Sequence, residues 1–235
     1  ENDNVFAWKG YLTPGELEIP ILFDGMTYYL HNEDGSTGIA DGEAMPVVMN
    51  ETKGGWTVPA AGEYRIVINM VDRMATIYSE ATDLQPLVVT FRPNGIETNP
   101  EVTLTVTDLW AYGGGTGWGV WKLNLIQSLA DPQIFIFDGS SNDRKTLGGD
   151  MKFCISNSFQ DENGTSYNQN NSYCFTNVLT EDGKRQNLSA ELNKVFELNG
   201  SSDGETRNSY MKVPAGSNLI IFDLRNKTFL AKKIE

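Results

Sequence analysis

Histidine is almost missing from this chain, His31 being the only one in 235 residues, and cysteine occurs only at Cys154 and Cys174. A multi-histidine zinc site or a Ser-His-Asp triad therefore has little to build on. His31 itself opens a turn-like polar run ending at Gly35. Positive charge is also scarce: 18 Lys and Arg stand against 31 Asp and Glu, a formal net charge of -13. Such a balance repels phosphates and anionic lipid heads, which argues against nucleic acid and membrane-surface partners. No run approaches the ~20 apolar residues of a membrane-spanning helix, so no membrane insertion by this chain is expected. Glu1-Asn2-Asp3-Asn4 is too polar and acidic for a secretion signal. Helical spacing is confined to Leu188 to Leu198, through Leu188, Leu192, Val195 and Phe196, which hints at one helix.

What the chain does have is strand pattern. With 40% hydrophobic and 21% charged residues it can bury one core, or two of roughly 100 residues each. Val102, Leu104 and Val106 alternate with Thr103, Thr105 and Thr107, and Tyr64, Ile66, Ile68 and Met70 repeat the pattern. Asp72-Arg73 and Asn226-Lys227 sit where tight hairpins need residues that tolerate unusual backbone angles.

Six segments fall into two sets in the same order. The first set is Val5 to Leu12, Pro14 to Ile21, and Gly55 to Met70 with its return at Ala75 to Tyr78; the second is Ile134 to Gly139, Gly149 to Ile155, and Met211 to Leu224 with its return at Lys227 to Leu230. One β-unit has been used twice. The second set is preceded by an opening stretch, Leu104 to Leu125, that has no counterpart before Val5, so the first domain is either naturally short or cut at its start. Three prolines and a glycine between Gln85 and Pro100 place the boundary near residues 93 to 101, giving domains 1–95 and 101–235, with Leu87 to Phe91 as a last strand of the first. The expected fold is all-β: two tandem β-sandwiches of immunoglobulin-like or carbohydrate-binding-module-like type.

Aromatic residues crowd one place. Trp110, Tyr112, Trp118 and Trp121 surround Gly113, Gly114, Gly115 and Gly117, a loop able to hold rings outward. The apolar face of a sugar stacks on such rings, each stacked pyranose contributing on the order of 1–2 kcal/mol by area. Alternation from Val102, Leu104 and Val106 puts Trp110 inside the core, while Trp118 and Trp121, beyond the glycines, are the better platforms. Lys122, Asp143 and Arg144 are the candidate polar partners. In the first domain Trp8, Tyr11 and Trp56 suggest a weaker site: Trp56 aligns with Met211, which favours packing, and only one of Trp8 and Lys9 can face out.

Other chemistry finds less support. A glycoside hydrolase needs two carboxylates at a fixed separation, and nothing selects one pair among 31 acidic residues. The acidic runs at Asp138 and at Asp161 depart from the calcium-loop order and read as solvated turns, so no metal and no cofactor are expected. Asn-x-Ser/Thr sequences occur at Asn50, Asn163, Asn170, Asn187, Asn199 and Asn226, frequent by chance in an Asn-rich chain. Cys154 and Cys174 flank a polar loop and face each other as a disulfide in an oxidising compartment or stay buried thiols in a reducing one.

The Trp8-Lys9-Gly10 strand leading into Gly15 to Ile19, followed by Trp56 to Asn69, resembles the tandem β-sandwich repeats of the SusE and SusF family, outer-membrane lipoproteins of starch-utilisation systems. The second unit looks similar through Leu109 to Tyr112, the Gly-rich loop ending Gly117-Trp118, Gly149 to Phe153, and Val213 to Gly216. It departs from the pattern where Ser217-Asn218-Leu219 replaces the Gly62-Glu63-Tyr64 step. The resemblance implies a non-catalytic, cell-surface protein that binds a neutral polysaccharide or oligosaccharide, works beside outer-membrane uptake proteins, and is anchored by a lipid outside these residues. The alternatives are a structural or adhesive module binding another protein and, more weakly, a glycoside hydrolase.

Overall fold

The computed structural model describes residues 4–119, 121–204 and 206–234. It is all-β: among the described residues there is no α-helix, only short 3-10 turns between strands. Among the described residues no helix is long and apolar enough to cross a membrane. The chain divides into two compact units, residues 1–84 and 85–235.

The first unit holds β1 (Val5–Leu12), β2 (Gly15–Glu18), β3 (Pro20–Phe23), β4 (Met26–Asn32), β5 (Ala44–Asn50), β6 (Gly55–Val58), β7 (Gly62–Asn69) and β8 (Met74–Ser79). Six of them form an antiparallel half-barrel in the order β1-β7-β8-β5-β4-β3, and β2 pairs separately with β6. Leu30, Val47, Trp56, Ile66, Ile68 and Ile77 fill its core. Trp56 is fully buried and its Nε1 donates to Asn32 Oδ1 at 2.8 Å, so it is a packing residue. Buried Arg65 meets Asp83, which also accepts from Lys9 Nζ at 2.7 Å.

The second unit holds β9 (Val88–Phe91), β10 (Val102–Thr105), β11 (Leu109–Gly113), β12 (Leu123–Gln127), β13 (Ile134–Asp138), β14 (Leu147–Cys154), β15 (Ser158–Gln160), β16 (Ser166–Asn168), β17 (Cys174–Thr176), β18 (Val195–Glu197), β19 (Asn199–Ser201), β20 (Met211–Ser217), β21 (Leu219–Asp223) and β22 (Thr228–Lys232). Nine strands run β18-β22-β21-β13-β12-β11-β14-β17-β19 as a nearly closed antiparallel barrel-like sheet, with β20 paired to β14. Phe135, Phe137, Phe153, Phe175, Phe222 and Phe229 form the centre of its core.

The repeat read from sequence recurs in the pairing. β1-β7-β8 in the first unit matches β13-β21-β22 in the second, and β2–β6 matches β14–β20, with Leu17 opposite Trp56 and Met151 opposite Met211. Both return hairpins place a residue in left-handed backbone, Arg73 (φ 53°) and Lys227 (φ 52°). Two expectations differ. β9 belongs to the second unit: it pairs with β10, and Val89 and Phe91 enter the second core, so the division falls at 84/85 rather than at 93 to 101. The helix expected over Leu188 to Leu198 is absent. Asn193 takes φ 62°, Leu188 and Leu192 are exposed, and Val195–Glu197 pairs with β22 instead, so tertiary pairing overrides a weak local period.

Candidate functional site

The aromatic loop follows β11. Gly113 ends that strand at φ 148°, where a Cβ would sit 2.0 Å from Asp150 O, so no other residue fits. A tight turn follows at Gly114–Thr116, with buried Thr116 Oγ1 bonding both N–H and C=O of Gly113 at 3.2 Å. Trp118 N–H then donates back to Gly113 O at 2.8 Å and Trp121 N–H to Thr116 O at 3.1 Å. Trp118 itself is left-handed at φ 57°, an unfavourable conformation for a bulky residue that such a bonded turn can hold in place. Val120 lies outside the described residues.

This turn sends two indoles into solvent: Trp118 and Trp121 are each 56% exposed. Trp118 is held upright by ring edges, with Tyr210 at 5.4 Å and 77° and Tyr112 at 6.2 Å and 73°. Trp121 carries the Arg144 guanidinium over one face, its carbon 4.9 Å from the ring centroid. The backbone N–H of Arg144 is tied to Asn142 Oδ1 at 3.0 Å, and its buried Nε has no hydrogen-bond partner. Asp143 and Lys122 are exposed. Trp121 and Arg144 therefore form one contact.

Trp110 is not in the core. The alternation read from Val102 to Val106 changes phase across residues 106–108, outside any strand, so Leu109 and Ala111 point inward and Trp110 and Tyr112 outward. Trp110 is half-buried beside Cys154 and Asn124, its directly paired neighbours.

Lys152 escaped sequence reasoning. It pairs with Tyr112 across β11 and β14, is wholly buried, and donates from Nζ to Asn170 Oδ1 (2.7 Å) and Asn208 Oδ1 (3.1 Å). The ammonium sits 5.1 Å from the Tyr112 ring centroid and 5.3 Å from that of Tyr210. Burial pushes its pKa below the ordinary lysine range, and the thiols of Cys174 and Cys154 offset this only in part. Burial likewise drives the Tyr210 phenol well above its usual range, keeping that ring neutral. A lysine inside the apolar run Met151 to Ile155 was the signal available. It thus lies against both tyrosines that pack on Trp118.

Cys154 and Cys174 face each other on β14 and β17, with the Cys174 thiol 3.1 Å from the Cys154 sulfur. Both are free and buried. The Ile155 N–H donates to Tyr173 O, so the cysteines occupy the neighbouring non-hydrogen-bonded pair, where antiparallel side chains come closest. The acidic runs are internal turns: Asp138 Oδ1 accepts from Ser140 N–H at 2.8 Å, and Asp161 accepts from Asn163 N–H, Thr165 N–H and the Tyr167 hydroxyl. No group of three or more His, Cys, Asp or Glu is placed to hold a metal ion among the described residues.

Comparison with protein-family models and with curated proteins finds no match to this chain.

Proposed function

We propose that the chain is a non-catalytic glycan-binding protein whose ligand stacks on Trp118 and Trp121. The observation that carries this reading is a pair of half-exposed indoles raised on a glycine-built, hydrogen-bonded turn, one braced by Tyr112 and Tyr210 and the other backed by Arg144. Such rings offer apolar faces to a pyranose. Exposed Lys122, next to Trp121 in sequence, and Arg144, packed on the Trp121 ring with exposed Asp143 beside it in sequence, are the candidate hydroxyl-binding groups. A net charge of -13 disfavours an anionic glycan, so the ligand in this reading is a neutral polysaccharide or oligosaccharide.

In this reading the two units are tandem sandwich modules of immunoglobulin-like or carbohydrate-binding type, in keeping with the all-β architecture. The likeness to SusE and SusF extends the proposal to a lipid-anchored protein on the outer-membrane surface that hands glycan to uptake proteins. Native affinity electrophoresis of the full chain in gels containing starch, pullulan, dextran, xylan or mannan tests it. Retardation by one polysaccharide, lost in a folded Trp118→Ala/Trp121→Ala variant, is the expected result. Equal mobility in every gel overturns it in favour of a structural or adhesive module, and breakdown of the polysaccharide by the pure protein overturns it in favour of a hydrolase.

A further inference from the structure

The outer face of the second unit's sheet carries an aliphatic row that the first unit, built on the same repeat, does not. Strand register draws it: Ile126 lies opposite Ile136, Ile136 opposite Ile221, Ile221 opposite Leu230, and Leu230 opposite Val195. Five neighbouring strands, β12, β13, β21, β22 and β18, thus set one aliphatic side chain each at the same level. Phe135, Phe222 and Phe229, next to these residues in the chain, are buried in the core, so alternation turns the row outward. Its two ends, Ile126 and Val195, are 61% and 67% exposed, and the three residues between them are partly buried.

Cross-strand aliphatic pairs can serve a sheet's own stability, but the internal repeat shows the same strands pairing without them. With the left-handed Arg73 and Lys227 of the two return hairpins aligned, Val67 stands for Ile221 and Thr76 for Leu230. Pairing then puts Ala7 in the place of Ile136 and Ala44 in that of Val195. Small or polar residues suffice at this level of the first unit. Large aliphatics held against water at the same level of the second mark a contact surface.

The rim of the row carries both signs. Two residues along the strands on one side come Asp223 on β21 and Glu197 on β18; two residues along on the other side comes Lys232 on β22, the strand between them. We propose that this face pairs with a second copy of the chain, sheet against sheet, about a two-fold axis running along the row. That axis lays the five aliphatics on their counterparts and brings Lys232 of one copy to the level of Asp223 and Glu197 of the other, as two aligned sheets about 10 Å apart. Charge permits the approach, because residues 85–235 carry fourteen Lys and Arg against seventeen Asp and Glu, a net of -3 out of the chain's -13. Five strands at ~4.8 Å and three levels at ~6.8 Å span roughly 24 by 20 Å, about 1,000 Å² over both copies, the low end for a specific interface. The dimer is accordingly weak.

The test is sedimentation equilibrium of the full chain at about 0.15 M salt, where exposed charges are screened beyond ~8 Å. Expected is an average mass that rises from the monomer's 26.1 kDa toward twice that between about 1 and 500 µM protein. Leu230→Thr/Val195→Ser, which gives the row the character it has in the first unit, should weaken association about tenfold or more, with melting curves verifying the fold. Should that variant fail to fold, the rim decides. Lys232→Glu and Glu197→Lys should each weaken association about threefold or more, and the two combined should associate more tightly than either alone, since these positions lie on opposite sides of the row and meet only across the axis. A monomer at every concentration overturns the proposal in favour of a different partner. A dimer unmoved by Leu230→Thr/Val195→Ser or by both rim variants, or no recovery in their combination, overturns it in favour of another face. Loss of the dimer in Trp118→Ala/Trp121→Ala overturns it in favour of the aromatic loop.

Discussion

Replacing Trp118 by alanine removes one ring and little else, which lets the stacking contribution be worked out. A tryptophan side chain offers up to roughly 250 Å², of which 56% is open at Trp118, or about 140 Å². A pyranose covers one ring face, about 70 Å², and at ~25 cal/mol/Å² this amounts to about 1.8 kcal/mol, or roughly 20-fold in Kd. The edge contacts from Tyr112 and Tyr210 lie at the ring's rim and do not reduce the face. Trp121 should give a similar loss from its one open face, the other being covered by Arg144. Isothermal titration with an oligosaccharide of the glycan that retards the protein measures both variants, with melting curves verifying that they fold. A change below about threefold for Trp118→Ala, against the ~20-fold expected from area, would refute the stacking argument.

Three further outcomes follow from the packing. Gly113→Ala should destabilise the second unit by ~2 kcal/mol or more and abolish glycan binding, because a Cβ there meets Asp150 O at 2.0 Å in a backbone that disfavours side chains; calorimetry and electrophoresis read the two effects. Cys154 and Cys174 should resist iodoacetamide in the folded, reduced protein, since both are buried and burial holds the Cys154 thiol well above its ordinary range. Oxidation during refolding by a disulfide reagent should give a bridge, a mass loss of about 2 Da, and about 3 kcal/mol of added stability on the chain-entropy model. Burial raises the Asp83 pKa, but hydrogen bonds from Arg65 and Lys9 outweigh it and hold the carboxyl below its ordinary value. Its stabilising effect is therefore present above the unfolded pKa of about 3.9 and lost as pH falls through the lower folded value. Asp83→Asn should lower first-unit stability by roughly 3 kcal/mol at pH 7, with the gap to wild type closing below about pH 4 in urea melts.

The all-β class, the repeat and the two hairpin turns were legible because period-two alternation and turn residues act locally. Trp110 was misread for a physical reason: alternation carries across a strand but not across a break, and residues 106–108 shift the phase. The Leu188 to Leu198 spacing failed because Val195–Glu197 found a partner in β22, which no local pattern announces. The exposure of Trp118 and Trp121 was legible from the glycines before them, whereas Tyr210, which packs on Trp118, and Lys152, which lies against Tyr112 and Tyr210, are 92 and 34 residues from Trp118 and come to it only through β14 and its neighbours. Unit division was missed since β9 pairs forward across the proline-rich segment instead of backward.

The most direct measurement is a ¹H–¹⁵N titration that follows the indole N–H resonances of the five tryptophans as oligosaccharide is added to the full chain. The glycan-binding account predicts saturable shifts of Trp118 and Trp121, with buried Trp56 and the first-unit Trp8 unmoved. Shifts confined to Trp8, or no shift at any indole at saturating ligand, would contradict it.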